Sequence, residues 1–245
     1  MGRYYDFKTA LVTSQCITSI QDWFRENGNE CKALIGLTGS ESSALTATLC
    51  VKALGKDRVI GVYMPDNNRL YADNVSKIVE MLDIPLIEIG IENLYSTAIT
   101  DIQKGVGKVW KIADNPSKQM TSLLENLQIS TLNTVSQITN GKIINTWSLT
   151  DAYVKNLMVY GDFAPLIHLT LSEVNAIGKY LKILCGDAGK TSEIEDLDRY
   201  IRRGTEEIDN TIADELQQSF KQNFDKMRVI PGFKPSIRLV FSGNF

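Results

Sequence analysis

The stretch "ALIGLTGSESSALTATLCVKALG", residues 33–55, decides the fold. It begins as an apolar run of the buried-strand type, Ala33-Leu34-Ile35-Gly36-Leu37, and ends as a helix rich in Ala, Leu and Thr. Between them stands the turn Thr38-Gly39-Ser40-Glu41-Ser42-Ser43. A turn of small residues from strand into helix points free N–H groups and the positive end of the helix dipole outward, where an anion binds readily. Gly39 lets backbone approach a ligand closely, and Thr38, Ser40, Ser42 and Ser43 add hydroxyls. The turn reads equally well as a capped strand-to-helix connection. It is neither a Walker A loop, which needs Gly-Lys-Ser/Thr, nor a G-x-G-x-x-G fingerprint, so those two nucleotide-binding classes are excluded.

Working outward, residues 7–27 carry Leu11, Ile17, Ile20, Trp23 and Phe24 at near-helical spacing, which predicts an amphipathic helix closed by Gly28. "RVIGVYM" predicts a second strand, then a helix over roughly 69–82 and a third strand, "PLIEIG". Helices are expected over "IENLYSTAITDIQKGV" and most of 117–138, and "KIINTWS" supplies a fourth strand leading into "LTDAYVKNLM". Strands alternating with helices imply an α/β fold with a parallel sheet covered on both faces. From about residue 170 the chain reads as helical through "SEVNAIGKYLKIL", "SEIEDLDRYI" and "EEIDNTIADELQQSFKQNF". The Pro-interrupted tail "RVIPGFKPSIRLVF" is expected to lie extended on the surface. With no repeat and no linker-like stretch, residues 1–245 are read as one domain.

Hydrophobic residues make up 43% of the 245 and charged residues 22%, ordinary for a soluble globular protein. The net charge of −3 gives no general attraction to nucleic acid or anionic membrane. No apolar run approaches the ~20 residues of a membrane span. The start "MGRYYDFKTA" has no hydrophobic secretory core, and Asp6 stands where a myristoylation signal would want Ser or Thr. Cys16, Cys31, Cys50 and Cys185 form no C-x-x-C pair and read as structural thiols, which fits a cytoplasmic setting. His168, the one histidine, has no Cys or His partner nearby and reads as structural rather than as a zinc ligand.

Six ordered blocks together resemble the ammonia-dependent NAD+ synthetases. "IGLTGSESSALTATLCVKALG" resembles their pyrophosphate loop, G-[IL]-S-G-G-x-D-S-[AS], and "DRVIGVYMPDNN" their second strand with its Leu-Pro-Asp turn. "NTWSLTDAYVKNLMVYGDFAPL" is similar to G-T-x-N-x-x-E…G-[YF]-F-T-K-[YF]-G-D…N-P-[IL]. "LSEVNAIGKYLKI", "IEDLDRYIRRG" and "DKMRVIPGFKPSIR" resemble the family's Thr-Glu-Val helix, its Tyr-Glu-Glu-Leu-Asp segment and its basic tail. The resemblance implies the adenine-nucleotide α-hydrolase-like fold, a helical C-terminal part and a homodimer, with the interface expected at helices 92–104 and 117–138. It also implies ATP and Mg2+, which activate the carboxylate of nicotinic acid adenine dinucleotide for attack by ammonia, with AMP released. That chemistry needs phosphate positioning and neutralisation of the pyrophosphate leaving group.

Laid on the family pattern, Thr38 keeps the hydroxyl of the first Ser, Gly39 and Ser43 match, and Ser40 replaces the second Gly. Ser42 stands where the family has a metal-binding Asp, and a serine supplies no charge. Glu41 is next door, but one residue on a helix is a rotation of ~100°. It is expected instead to favour its own helix end by ~0.3–1 kcal/mol and to occupy the phosphate site rather than work in it. Asp151 takes the place of the second metal carboxylate, one methylene shorter, and Thr146 that of a Thr contacting ATP. Met158 and Val159 replace Thr-Lys, Leu171 replaces a Lys for the ATP phosphates, and Gln119 and Thr121 replace two arginines. After Gly161-Asp162 about three residues of the pattern are missing, and a long polar loop is cut to "LCGDAGKTS". In the tail Lys226, a dinucleotide contact by resemblance, survives, while Asp225 replaces a His. Sheet-building residues match, while Ser, Met, Val, Leu, Gln and Thr stand at most of the metal-binding and cationic positions. Three readings stay open: an amide ligase using Asp151 and a rearranged loop, a non-catalytic structural or regulatory dimer subunit, or an adenylating enzyme for another acid.

Overall fold

The computed structural model describes residues 7–65, 72–109, 117–154, 160–183 and 234–235. Helix α1 (Thr9–Asn27) leads into strand β1 (Lys32–Gly36) and helix α2 (Glu41–Leu54). Then come β2 (Val59–Tyr63), α3 (Ala72–Leu82), β3 (Leu86–Glu88), α4 (Glu92–Gly107) and α5 (Ser117–Thr139). The order closes with β4 (Gly141–Ile143), α6 (Leu149–Val154), β5 (Phe163–Ala164), α7 (Leu171–Tyr180) and β6 (Lys234–Pro235). The helical segments expected beyond residue 183, and all of the tail except Lys234–Pro235, lie outside the described residues. Lys234–Pro235 pair in parallel with β5.

The main sheet has the order β3-β2-β1-β4, with every pairing parallel, as the alternating pattern predicts. Alternate side chains of a strand face opposite sides, and both sides are covered. Ala33 and Ile35 of β1 and Val59 of β2 join a core with Cys16, Ile20 and Phe24 of α1, Leu45 and Leu49 of α2, and Val174 and Ile177 of α7. Leu34, Val62 and Ile143 face the other way and meet Leu132 and Val135 of α5. The buried residues Val12, Cys16, Ile20, Trp23 and Phe24 of α1 recur on one helical face, which is why this segment folds as a helix against the sheet. Trp23 stacks on Phe163 with ring centroids 5.1 Å apart.

Helix α2 is enclosed on most sides, with Ser43 to Cys50 all buried. Its threonines are tolerated there because Thr46 Oγ1 donates to the Ser42 carbonyl and Thr48 Oγ1 to the Ala44 carbonyl, each at 2.8 Å. One difference from expectation concerns β4, predicted over "KIINTWS" but ending at Ile143. Beyond it the backbone turns to new partners: Ile144 bridges Phe163, and the Asn145 N–H donates to the Phe163 carbonyl at 2.8 Å. Gly161 makes this possible at φ +87°, a left-handed conformation, with Ile143 O only 3.0 Å from where a Cβ would stand.

Candidate functional site

The sheet order fixes where a ligand could sit. From β1 the chain moves to β2 and β3 on one side, then returns to place β4 on the other. The carboxyl ends of β1 and β4 therefore flank the topological switch point, the usual ligand crevice of an open α/β sheet. Two of the segments singled out in the sequence leave the sheet from those strand ends. The turn Thr38–Ser43 follows β1, and Thr146 to Asp151 follows β4. Paired strands lie ~4.8 Å apart, so the two segments start from neighbouring points of the sheet although more than a hundred residues separate them.

The turn after β1 is a closed knot of hydroxyls. Thr38 Oγ1 donates to Ser40 Oγ at 2.9 Å, Ser40 Oγ lies 3.3 Å from Ser43 Oγ, and Ser43 Oγ donates to the Ser40 carbonyl at 2.9 Å. Ser40 is the N-cap of α2 and accepts from the Ser43 N–H. Gly39, at φ +78°, turns its carbonyl to Asn74 Nδ2 of α3 at 3.3 Å. Ser42, in the first turn of α2, offers its carbonyl to Thr46. Glu41 opens α2 as expected, at the positive end of the helix, but its side chain lies against α7. A Cβ on Gly178 would come within 2.5 Å of Glu41 Oε1. The hydroxyls fill the centre of the turn, and the glutamate takes the seam between α2 and α7.

The segment after β4 is equally self-contained. Asn145, fully buried, donates from Nδ2 to the Tyr160 carbonyl at 2.9 Å and accepts from the Trp147 N–H at 2.6 Å. Thr146 meets Tyr160 twice: its N–H donates to the phenol oxygen at 3.3 Å, and the two hydroxyls are 3.1 Å apart. Asp151 Oδ2 accepts from the Ser148 N–H at 2.8 Å and from Ser148 Oγ at 2.7 Å, while the Asp151 N–H donates back to Ser148 Oγ at 3.1 Å. This is a reciprocal capping box at the start of α6. Leu171 begins α7 and donates its N–H to Thr150 Oγ1 at 2.9 Å.

Gln119 and Thr121 fall in the first turns of α5, away from the two loops in sequence. Lys226, Asp225, Met158, Val159 and Cys185 lie outside the described residues. The sequence reading missed three participants. The Ser148-x-x-Asp151 spacing is itself a readable capping signal. Tyr160 stands at the [YF] before Gly-Asp in the block quoted above, which marks the position but not its partner 14 residues away, and Asn74, 35 residues from Gly39, has no such signal. Among the described residues no three or more His, Cys, Asp or Glu side chains gather as a metal site. The donors do not fit a Mg2+ ion held by two carboxylates: Ser42 carries no charge, which leaves Asp151 as the single carboxylate of the pair.

These features define a class: a parallel α/β fold with a small-residue, hydroxyl-rich turn at its switch point. The particular family follows from comparison with known proteins. The NAD synthase family model matches residues 12–184, and the chain belongs to that family. An NH(3)-dependent NAD(+) synthetase of Methanocaldococcus jannaschii is 30% identical over 184 residues, which is 69% of this chain and 66% of that protein. One from Picrophilus torridus is 28% identical over 171 residues, 67% of this chain and 65% of that protein. The chain thus spans just under two thirds of these relatives' length. An NMN synthetase from Francisella tularensis shares the fold with a TM-score of 0.74 and 20% identity, over 90% of this chain and 96% of its own.

Proposed function

We propose that this chain is a nucleotide-binding member of the NAD synthase family that does not complete metal-dependent amide formation. The observation that carries the reading is Asp151. Its Oδ2 is engaged in capping α6, and Ser42 stands where the resemblance puts the other metal carboxylate. Amidation through an acyl-adenylate needs the charge on departing pyrophosphate neutralised, and the Thr38–Ser43 turn offers only hydroxyls and N–H groups for that task. The same groups suit a phosphate oxygen bound without metal. Thr38, Gly39, Ser40, Ser42, Ser43 and Thr146 are the proposed contacts for ATP, with Lys226 as a proposed contact for a dinucleotide.

A second reading is supported by the family match, which contains both loops: NAD+ formation from nicotinic acid adenine dinucleotide, ATP and ammonia, with Asp151 as a metal ligand. Under either reading we take residues 1–245 as one domain. A homodimer is supported by exposed Leu94, Ile102 and Val106 on α4 and exposed Ile138 on α5. A cytoplasmic location rests on the family; no described helix is long and apolar enough to cross a membrane.

The test is AMP and NAD+ formation from ATP, Mg2+, ammonium and nicotinic acid adenine dinucleotide, beside an active relative. Nicotinic acid mononucleotide is assayed in parallel, since a structural neighbour is an NMN synthetase. The expected result is ATP binding by calorimetry that is unchanged by EDTA, and no AMP above background. AMP with matching NAD+ would establish the second reading.

A further inference from the structure

We infer that Tyr160 is an internal latch on the switch-point site, its phenol oxygen standing in for a ligand oxygen at Thr146. The inference rests on the nucleotide-binding reading above. Thr146 is half-buried at the end of β4, and its N–H and hydroxyl are the two polar groups that this turn can offer to a ligand. Both are already engaged by one atom, Tyr160 Oη, at 3.3 Å and 3.1 Å. The rest of Tyr160 is built to hold that atom there. Its carbonyl accepts from the buried Asn145 at 2.9 Å. Its ring meets the Trp147 ring edge-on at 6.1 Å. Gly161, at φ +87°, then turns the chain so that Asp162 Oδ2 accepts the Ile143 N–H at 2.7 Å. The backbone at Tyr160 is therefore anchored from both sides of the β4 end, and because the phenol oxygen is fixed to its ring, freeing Thr146 requires the ring to shift against Trp147.

A nucleotide that uses Thr146 must first displace this hydroxyl, so the observed affinity is the intrinsic affinity reduced by the fraction of molecules already open. Tyr160→Phe keeps the ring on Trp147 and removes only the oxygen. It leaves Thr146 free for the ligand, so affinity for ATP rises in this variant. A merely structural tyrosine would lower stability without raising affinity.

The experiment is calorimetric titration of the full chain with ATP in EDTA, on wild type and Tyr160→Phe, with thermal melting to establish that the variant is folded. The expected result is binding tighter by about tenfold, ~1.4 kcal/mol, in the variant. A second measurement uses wild type alone: 19F NMR of protein labelled with 5-fluorotryptophan, the Trp147 resonance being assigned with Trp147→Phe. Saturation with ATP should move that resonance as the Tyr160 ring shifts. Equal or weaker affinity in the variant would overturn the latch and leave the nucleotide reading standing, as would ATP binding that leaves the Trp147 resonance in place. ATP binding to neither protein would overturn both.

Discussion

Replacing Asp151 by alanine separates a capping residue from a metal ligand. The carboxylate accepts two hydrogen bonds from Ser148, at 2.8 Å from its N–H and 2.7 Å from its Oγ, and Ser148 is fully buried. Without the carboxylate the Ser148 N–H loses a charge-assisted partner in a place where water does not replace it. Loss of such a cap costs ~1–2 kcal/mol. The cost should spread beyond α6, because the Leu149 N–H donates to the Leu169 carbonyl at 2.7 Å and Thr150 Oγ1 accepts from the first residue of α7. For a chain of this size each kcal/mol lowers the melting temperature by ~2–4 °C, so a fall of roughly 2–8 °C is expected. The assay is urea and thermal unfolding of wild type, Asp151→Ala and Asp151→Asn, each in EDTA and in millimolar Mg2+. Asparagine keeps an acceptor and should recover about half of the loss. Wild type should gain nothing from Mg2+, and the deficit of the alanine variant should be the same in both buffers. A wild-type transition that rises in Mg2+, with no rise for Asp151→Ala, would refute the capping account and make Asp151 a metal ligand.

Gly161→Ala should destabilise by ~1–3 kcal/mol in urea unfolding, since the position has φ +87° and a Cβ would stand 3.0 Å from Ile143 O and 3.2 Å from Asn145 N. In the folded protein, alkylation at mildly alkaline pH followed by peptide mapping should modify Cys31 before Cys16 or Cys50. Burial pushes the Cys16 thiol up to about 12 and that of Cys50 up as well, so both stay protonated and unreactive until unfolding. Ser42→Asp combined with Leu171→Lys restores two charges at the switch point and should tighten ATP binding in Mg2+, but not in EDTA, by on the order of tenfold. Calorimetry showing no Mg2+-dependent gain would mean that these positions do not face the nucleotide.

The parallel sheet was legible because its evidence is local. Ala33 to Gly36 and Val59 to Tyr63 are apolar runs bounded by turn residues, and the buried positions of α1 repeat at helical spacing. Where a strand ends was harder to read. "KIINTWS" is apolar enough to continue β4, but Asn145 leaves the sheet to bond Phe163, a partner that composition does not announce. The site was half legible. The small-residue turn and its hydroxyls could be named from the sequence, and so could the Ser148-x-x-Asp151 spacing. That spacing supports two meanings, since a carboxylate three residues into a helix can cap it or hold a metal. Only the geometry shows the cap formed. Glu41 illustrates the same limit: the sequence puts it at the end of α2, but its neighbour Gly178 is supplied by α7, far along the chain.

Under the proposed reading the polar groups of the switch-point turns are satisfied either by a ligand or internally. Of the groups concerned Ser43 and Ser148 are buried, where a donor or acceptor without a partner costs ~1–3 kcal/mol against a net stability of only ~5–15 kcal/mol. In this chain the groups are satisfied internally. Thr38, Ser40 and Ser43 bond one another, Tyr160 bonds Thr146, and Ser148 bonds Asp151. An anion-binding loop that depended on its ligand would be stabilised strongly as ligand saturates it. A ligand bound here as proposed would replace internal bonds, so its binding would add less to the stability of the fold than at an open loop of the same residues. The sheet is thus compatible with Ser42 and the other uncharged residues at its switch point, because the hydroxyls there hold their own turns together.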